Sequence, residues 1–299
     1  MTNSIKAMLA GAPVAIASDL AHDLMSIELP DAAMHQEQRA AASVERFTVT
    51  RGIAVLPVRG LLTPNSEILE RYLGWSTYFG LTEAAAELSE RGDVSAIVLD
   101  VNSPGGTVVG CEGAAEAIAE AAKNKPVHAI ASPMAASAAY WLASQAHSIA
   151  VMPGGIVGSI GVAMMASSVV GPDSYGEQRY LLTSSHARAK RPDPGTEEGM
   201  TELRRSLDEA EGQFHAAVSR GRGIASDALL GQLSVTDDER DGGAVFVGQQ
   251  AIARGLADSV ETRAAFYARM IEAYGAAGSS GPSVRYRARA EAAAALARI

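Results

Sequence analysis

The run Ala96-Ile97-Val98-Leu99-Asp100-Val101, followed at once by Asn102-Ser103-Pro104-Gly105-Gly106, decides the fold. It is a continuous apolar run with one polar residue and no alternation, the pattern of a strand covered on both faces. The Pro-Gly-Gly sequence then ends it. Downstream, residues 112–122 read as a helix and 127–131 as a second short buried strand. Residues 135–146 read as a helix of small residues, and 148–152 as a further strand closed by Pro153-Gly154-Gly155. Upstream, residues 44–50 and 53–59 read as strands joined at Arg51-Gly52, and 82–91 as a helix with Thr82 as its N-cap. This order predicts an α/β fold with a mainly parallel sheet and right-handed crossovers. Ligands in such folds sit beyond the carboxyl ends of the strands. Gly105-Gly106 and the start of the 135–146 helix both fall there, so the two are expected to face each other across a site.

In the second half, residues 184–195 form a polar loop with two prolines. Thr196 is an N-cap, with Glu197 and Glu198 in the first turn of a helix that runs to about Arg222. A second helix is expected over 226–233, and a last unit that begins at 245–247 ends in a short strand at 256–260. Three regions result: a helical leader (1–43), a main domain (44–262), and a C-terminal helix, linker and Ala/Arg-rich tail (263–299).

The 299 residues are 47% hydrophobic but only 5% aromatic, so the core is expected to pack small side chains closely. The formal charge of −9 argues against nucleic acid or an anionic membrane as the main partner. The single cysteine, Cys111, excludes an intrachain disulfide and reads as a small core residue. No run reaches the ~18 continuous apolar residues of a membrane span. At the start, Lys6, the apolar run 7–17 and the small-x-small triplet Ala15-Ile16-Ala17 have features of an export signal. The single basic residue and Pro13 argue for an unexported leader instead.

Two segments carry chemistry. Consecutive glycines at 105 and 106 let the backbone approach a ligand and aim N–H groups at an oxyanion, although such a pair is also found in ordinary tight turns. In Met134-Ala135-Ala136-Ser137-Ala138-Ala139-Tyr140, Ser137 stands among small residues at a helix start, where the Ala138 N–H is free to donate. Alone, this segment also reads as an alanine-rich packing helix. Of the six histidines, His186 is the one credible alternative base; the others read as surface or packing residues, and His-Glu-x-x-His metal spacing is absent.

Taken together the motifs resemble the signal peptide peptidase A-like serine peptidases of the Clp protease/crotonase-like superfamily, in particular their phage head-maturation branch. The resemblance covers about residues 44–260. It rests on Asp100-Val101-Asn102-Ser103-Pro104-Gly105-Gly106, Ala135-Ala136-Ser137-Ala138-Ala139-Tyr140, Gly158-Ser159-Ile160-Gly161-Val162 and Lys190-Arg191-Pro192-Asp193-Pro194-Gly195-Thr196. It implies a superhelix of repeated ββα units, with Ser137 as nucleophile and Lys190 as the general base of a Ser–Lys dyad. Gly106 and Ala138 would be the oxyanion-hole donors, and Ser159 would orient the lysine. No metal and no cofactor are implied. Ala138-Ala139 departs from the Gly-Gly found in many bacterial members, and the segment before Lys190 is variable.

The resemblance further implies a homo-oligomeric serine endopeptidase that trims capsid or scaffold polypeptides in the host cytoplasm or the prohead. Two other readings are a bacterial peptidase that degrades signal peptides, and a non-proteolytic crotonase-like binding or structural protein.

Overall fold

The computed structural model describes residues 13–17, 24–27, 45–178, 180 and 182–275. The Gly/Ser/Pro linker and Ala/Arg tail expected after residue 275, and most of the expected leader, lie outside the described residues. Among the described residues the fold is α/β, built on a nine-stranded sheet. Its strands are β1 (Val14–Ile16), β2 (Thr48–Thr50), β3 (Ile53–Leu62), β4 (Ala96–Thr107), β5 (Val127–Ala136), β6 (Ser148–Val151), β7 (Ile156–Gly158), β8 (Val245–Val247) and β9 (Ser259–Val260). The helices are α1 (Glu67–Leu73), α2 (Tyr78–Glu90), α3 (Cys111–Asn124), α4 (Ala138–Ala143), α5 (Glu197–Arg222), α6 (Ser226–Leu233), α7 (Gln249–Ala253) and α8 (Arg263–Tyr274).

The spine β3-β4-β5-β6-β9 is parallel throughout, as the unbroken apolar run in β4 requires. Helices α2 and α3 cover one face, where Leu81, Leu88, Ala114 and Ile118 meet Leu56, Leu99 and Ala129. On the other face α8 lays Phe266 and Met270 on Ile53, Val98, Ile130 and Ala150. Small residues fill much of this core, as the composition predicts. Its large anchor is Trp141, stacked on Phe214 of α5 with ring centroids 4.6 Å apart.

The sheet splits at its carboxyl end. Register shifts occur between Arg59 and Leu61 in β3 and between Val101 and Ser103 in β4. Past this point β5 leaves β6 and pairs with β7, while the end of β4 pairs with β3 on one edge and antiparallel with β1 on the other. The split opens the ground on which the motifs meet.

Four expectations need correction. The strand expected to end at Pro104-Gly105-Gly106 runs through those residues to Thr107, because β1 and β3 pair with it there. The N-cap of α2 is Thr77, whose Oγ1 accepts from the Gly80 N–H; the Thr82 hydroxyl instead donates back to the Tyr78 carbonyl. The helix expected over 135–146 begins only at Ala138, because Ala135 is held as a strand residue between Ser103 and Val157. Sheet pairing there overrides alanine's helical preference. Within the leader, expected to be helical, Val14–Ile16 is a strand with Ala15 fully buried.

Candidate active site

Ser137 sits at the turn where β5 becomes α4. Its backbone has φ 54° and ψ −126°, a left-handed conformation that costs a non-glycine residue about 1–3 kcal/mol. The surroundings hold it there. Its N–H donates to the Gly158 carbonyl at 2.7 Å, and its own carbonyl accepts from the Trp141 N–H at 3.0 Å. The residue is 1% exposed, and its Oγ has no hydrogen-bond partner among the described residues. A buried hydroxyl left unpaired on a strained turn is costly in a purely structural role, because both penalties fall on one residue.

The glycine pair lies against it. A methyl-sized point built on Gly105 (φ 106°) would lie 2.9 Å from Ser137 Cβ and 3.0 Å from the Ala138 nitrogen. The same point on Gly106 would lie 1.9 Å from the Leu62 carbonyl oxygen. Both positions therefore exclude a side chain, one for approach to the serine turn and the other for close packing of β4 on β3. The loop is fixed by Ser103, fully buried, whose hydroxyl donates to the Gly60 carbonyl at 2.6 Å and accepts from the Gly105 N–H at 3.1 Å. Sequence reading assigned Ser103 no role; its place in the motif was the available signal. The Ala138 N–H opens the first turn of α4, where no intrahelical acceptor exists.

Ser159 immediately follows β7, the strand that supports Ser137. It too has a left-handed φ of 52°, and its N–H donates to the Ala244 carbonyl at 2.7 Å. Gly158, which receives the Ser137 N–H, immediately precedes it, so one backbone connection ties the two serine turns together.

The structure brings Ser137, Gly105, Gly106, Ala138 and the Ser159 segment to one place, but not Lys190. That lysine ends a short 3-10 turn (Arg188–Lys190) in a long exposed connection, and its ammonium has no hydrogen bond or ion pair among the described residues. Asp193 does not hold it. The Asp193 carboxylate accepts from the Gly195 N–H at 2.9 Å and bonds the Ser168 hydroxyl, contacts that keep its pKa below the usual carboxylate value. His186 is also exposed. Cys111 is buried beneath α4 with its thiol directed at the Ala138 carbonyl, and burial pushes its pKa far up, so it is no nucleophile. Among the described residues no cluster of three His, Cys, Asp or Glu groups could hold a metal ion, and no helix is long and apolar enough to cross a membrane.

A family model for peptidase family S49 matches residues 119–276, just over half of the chain and including Ser137, Ser159 and Lys190. The chain belongs to peptidase family S49. Among curated relatives it is 35% identical over 218 residues to the capsid assembly protease C of Escherichia phage lambda, covering 72% of this chain and 47% of that one. It is 30% identical over 219 residues to the head-tail preconnector protein GP5 of Enterobacteria phage P21, covering 72% and 42%. Protease 4 of Haemophilus influenzae is 30% identical over 229 residues, covering 73% and 34%. The S49 chain thus spans less than half the length of each of these relatives. Among solved structures there are loose likenesses to an enoyl-CoA hydratase from Shewanella pealeana (TM-score 0.45, 10% identity, covering 77% and 74%) and to the membrane-bound stomatin-specific protease 1510-N (TM-score 0.38, 15% identity, covering 71% and 81%). Superpositions this loose carry no functional weight.

Proposed function

We propose that this S49 protein is a serine endopeptidase that processes capsid or scaffold polypeptides during phage head assembly. The observation that carries the reading is the strained, buried and unpaired Ser137 set against the Gly105-Gly106 loop. Identity to two phage assembly proteins supports the biological setting. In the proposed reaction the Ser137 hydroxyl loses its proton to a base and attacks the scissile carbonyl. The Gly106 and Ala138 N–H groups receive the oxyanion, a contribution of about 3–4 kcal/mol per donor in measured cases. An acyl-enzyme forms and water releases it.

Lys190 is the proposed base, with Ser159 orienting it. A lysine accepts a proton only when neutral, which requires a dry pocket. The exposed Lys190 must therefore be carried to Ser137 and covered. We infer that a homo-oligomer does this. Between β7 and α5 the chain leaves Val170, Tyr175, Tyr180 and Leu182 at least 80% exposed, an unusual density of large apolar side chains on one connection. The test of the function is cleavage of a capsid or scaffold polypeptide by the purified protein. Turnover by wild type and none by Ser137→Ala is expected; equal turnover by the two rules Ser137 out.

A further inference from the structure

Strand β1 lies along the Gly105-Gly106 loop that faces Ser137. It runs antiparallel to the end of β4, pairing Val14 with Thr107, Ala15 with Gly106 and Ile16 with Gly105. On its other edge Val14 exchanges two backbone hydrogen bonds with Ala163, each 2.9 Å long. Residues 13–17 are therefore inserted as an extended peptide between the end of β4 and the backbone at Ala163. The register identifies the bond presented. The Ala17 N–H donates to the Pro104 carbonyl and the Val108 N–H to the Pro13 carbonyl. Hydrogen-bonded pairs alternate along an antiparallel ladder, so Ala15 and Gly106 are the pair between these two that faces inward, and the Gly106 N–H is directed at the Ala15 carbonyl. The point built on Gly105, 2.9 Å from Ser137 Cβ and 3.0 Å from the Ala138 nitrogen, lies only 2.1 Å from the Ala15 carbonyl oxygen. That oxygen is thus placed among Gly106, Ala138 and Ser137, where an oxyanion would be. On the leaving side, Ile16 is seated in an apolar cluster with Leu61, Leu69 and Trp75.

We propose that residues 13–17 are a built-in substrate strand, and that Ser137 of the same chain cleaves the Ala15–Ile16 bond. This rests on the reading of Ser137 as nucleophile. Ser137 Oγ bonds to the Ala15 carbonyl carbon as its proton passes to the base. The Ala15–Ile16 C–N bond breaks, and its nitrogen takes that proton to become the α-amine of Ile16. Water then hydrolyses the Ala15 ester, releasing residues 1–15 with a new carboxylate and restoring the serine. The cut frees the channel, so the uncut chain is a self-occupied form and the cut chain an open one. It also gives the chemistry the channel accepts: an extended strand with a residue no larger than alanine before the cut, where Ala15 is fully buried, and a branched aliphatic residue after it.

The test is N-terminal sequencing and intact mass of the full chain, purified as wild type, Ser137→Ala and Val14→Pro, with fluorophosphonate labelling in parallel. Wild type is expected to lose residues 1–15 and begin at Ile16, while Ser137→Ala keeps them even when mixed with wild type. Val14→Pro loses the N–H that donates to Ala163, so it is expected to stay uncut with Ser137 open to label. Wild type cut at another bond overturns the register, and Ser137→Ala cut by added wild type overturns the same-chain geometry. Full-length wild type overturns self-cleavage altogether. In that case Val14→Pro tells the two readings apart: a label on Ser137 leaves the nucleophile standing, and no label removes it too.

Discussion

Gly106 has two duties that a single substitution separates. Its N–H is a proposed oxyanion donor, and its missing side chain lets β4 lie on the Leu62 carbonyl. Gly106→Ala is therefore expected to cost about 1–3 kcal/mol of stability through overpacking, and to lower kcat far more than it changes KM. Denaturant melts and steady-state kinetics check the two parts. The motif alone predicted only the catalytic loss; the steric duty depends on Leu62, 44 residues away, and needed the fold. His128 makes a second prediction at this scale. It lies under α8 with its ring nitrogens on Ser148 and Tyr274, and burial lowers its pKa from 6.5 to about 4. Between those values the unfolded chain binds the proton and the folded one does not. The His128 contribution to stability is thus expected to fall as pH drops from about 6.5 to about 4 and to level off below, while the paired carboxylates go on losing theirs. Urea midpoints across that window should fall less steeply for His128→Gln than for wild type.

Among the elements, α5 and α6 were the most legible. Thr196, Glu197 and Glu198 announced the start of α5, and the Thr196 hydroxyl indeed accepts from the Gly199 N–H at 3.0 Å. Local signals suffice where a cap and a helical period lie within one turn. Thr196→Ala is accordingly expected to cost about 1 kcal/mol in thermal or denaturant unfolding and to leave turnover close to wild type. The strand-to-helix turn at Ser137 was less legible. Its alanines read as helix from 135, while the structure keeps them in strand through Ala136, so the serine lands on the turn itself and not within the first helical residues. The motif singled out Ser137 from its neighbours; the strain at that residue comes with pairing to β7, which local pattern cannot show. Strand β1 was missed for the same reason. It is three residues of small and β-branched type in an alanine-rich stretch, and its partners are Gly106 and Ala163. The small-x-small triplet Ala15-Ile16-Ala17 was noticed in the sequence as an export-type cleavage signal, and the fold puts that triplet beside Ser137.

For the whole molecule, one chain brings together the proposed nucleophile and the proposed oxyanion donors and leaves Lys190 in solvent. If assembly supplies the missing cover, the protein should sediment as a homo-oligomer, and Val170→Asp with Leu182→Asp should shift it toward monomer and lower turnover together. In the assembled protein Lys190→Met is expected to lose essentially all turnover and His186→Ala to keep most of it. A dead His186→Ala beside an active Lys190→Met would instead make the mechanism Ser–His. All of this depends on Ser137 as the nucleophile, and a covalent adduct tests that directly. The protein is treated with a fluorophosphonate and the modified peptide mapped by mass spectrometry, with Val14→Pro included so that an occupied channel cannot hide the serine. The account predicts one adduct, on Ser137, absent from Ser137→Ala; an adduct on a different residue, or none in either chain, would contradict it.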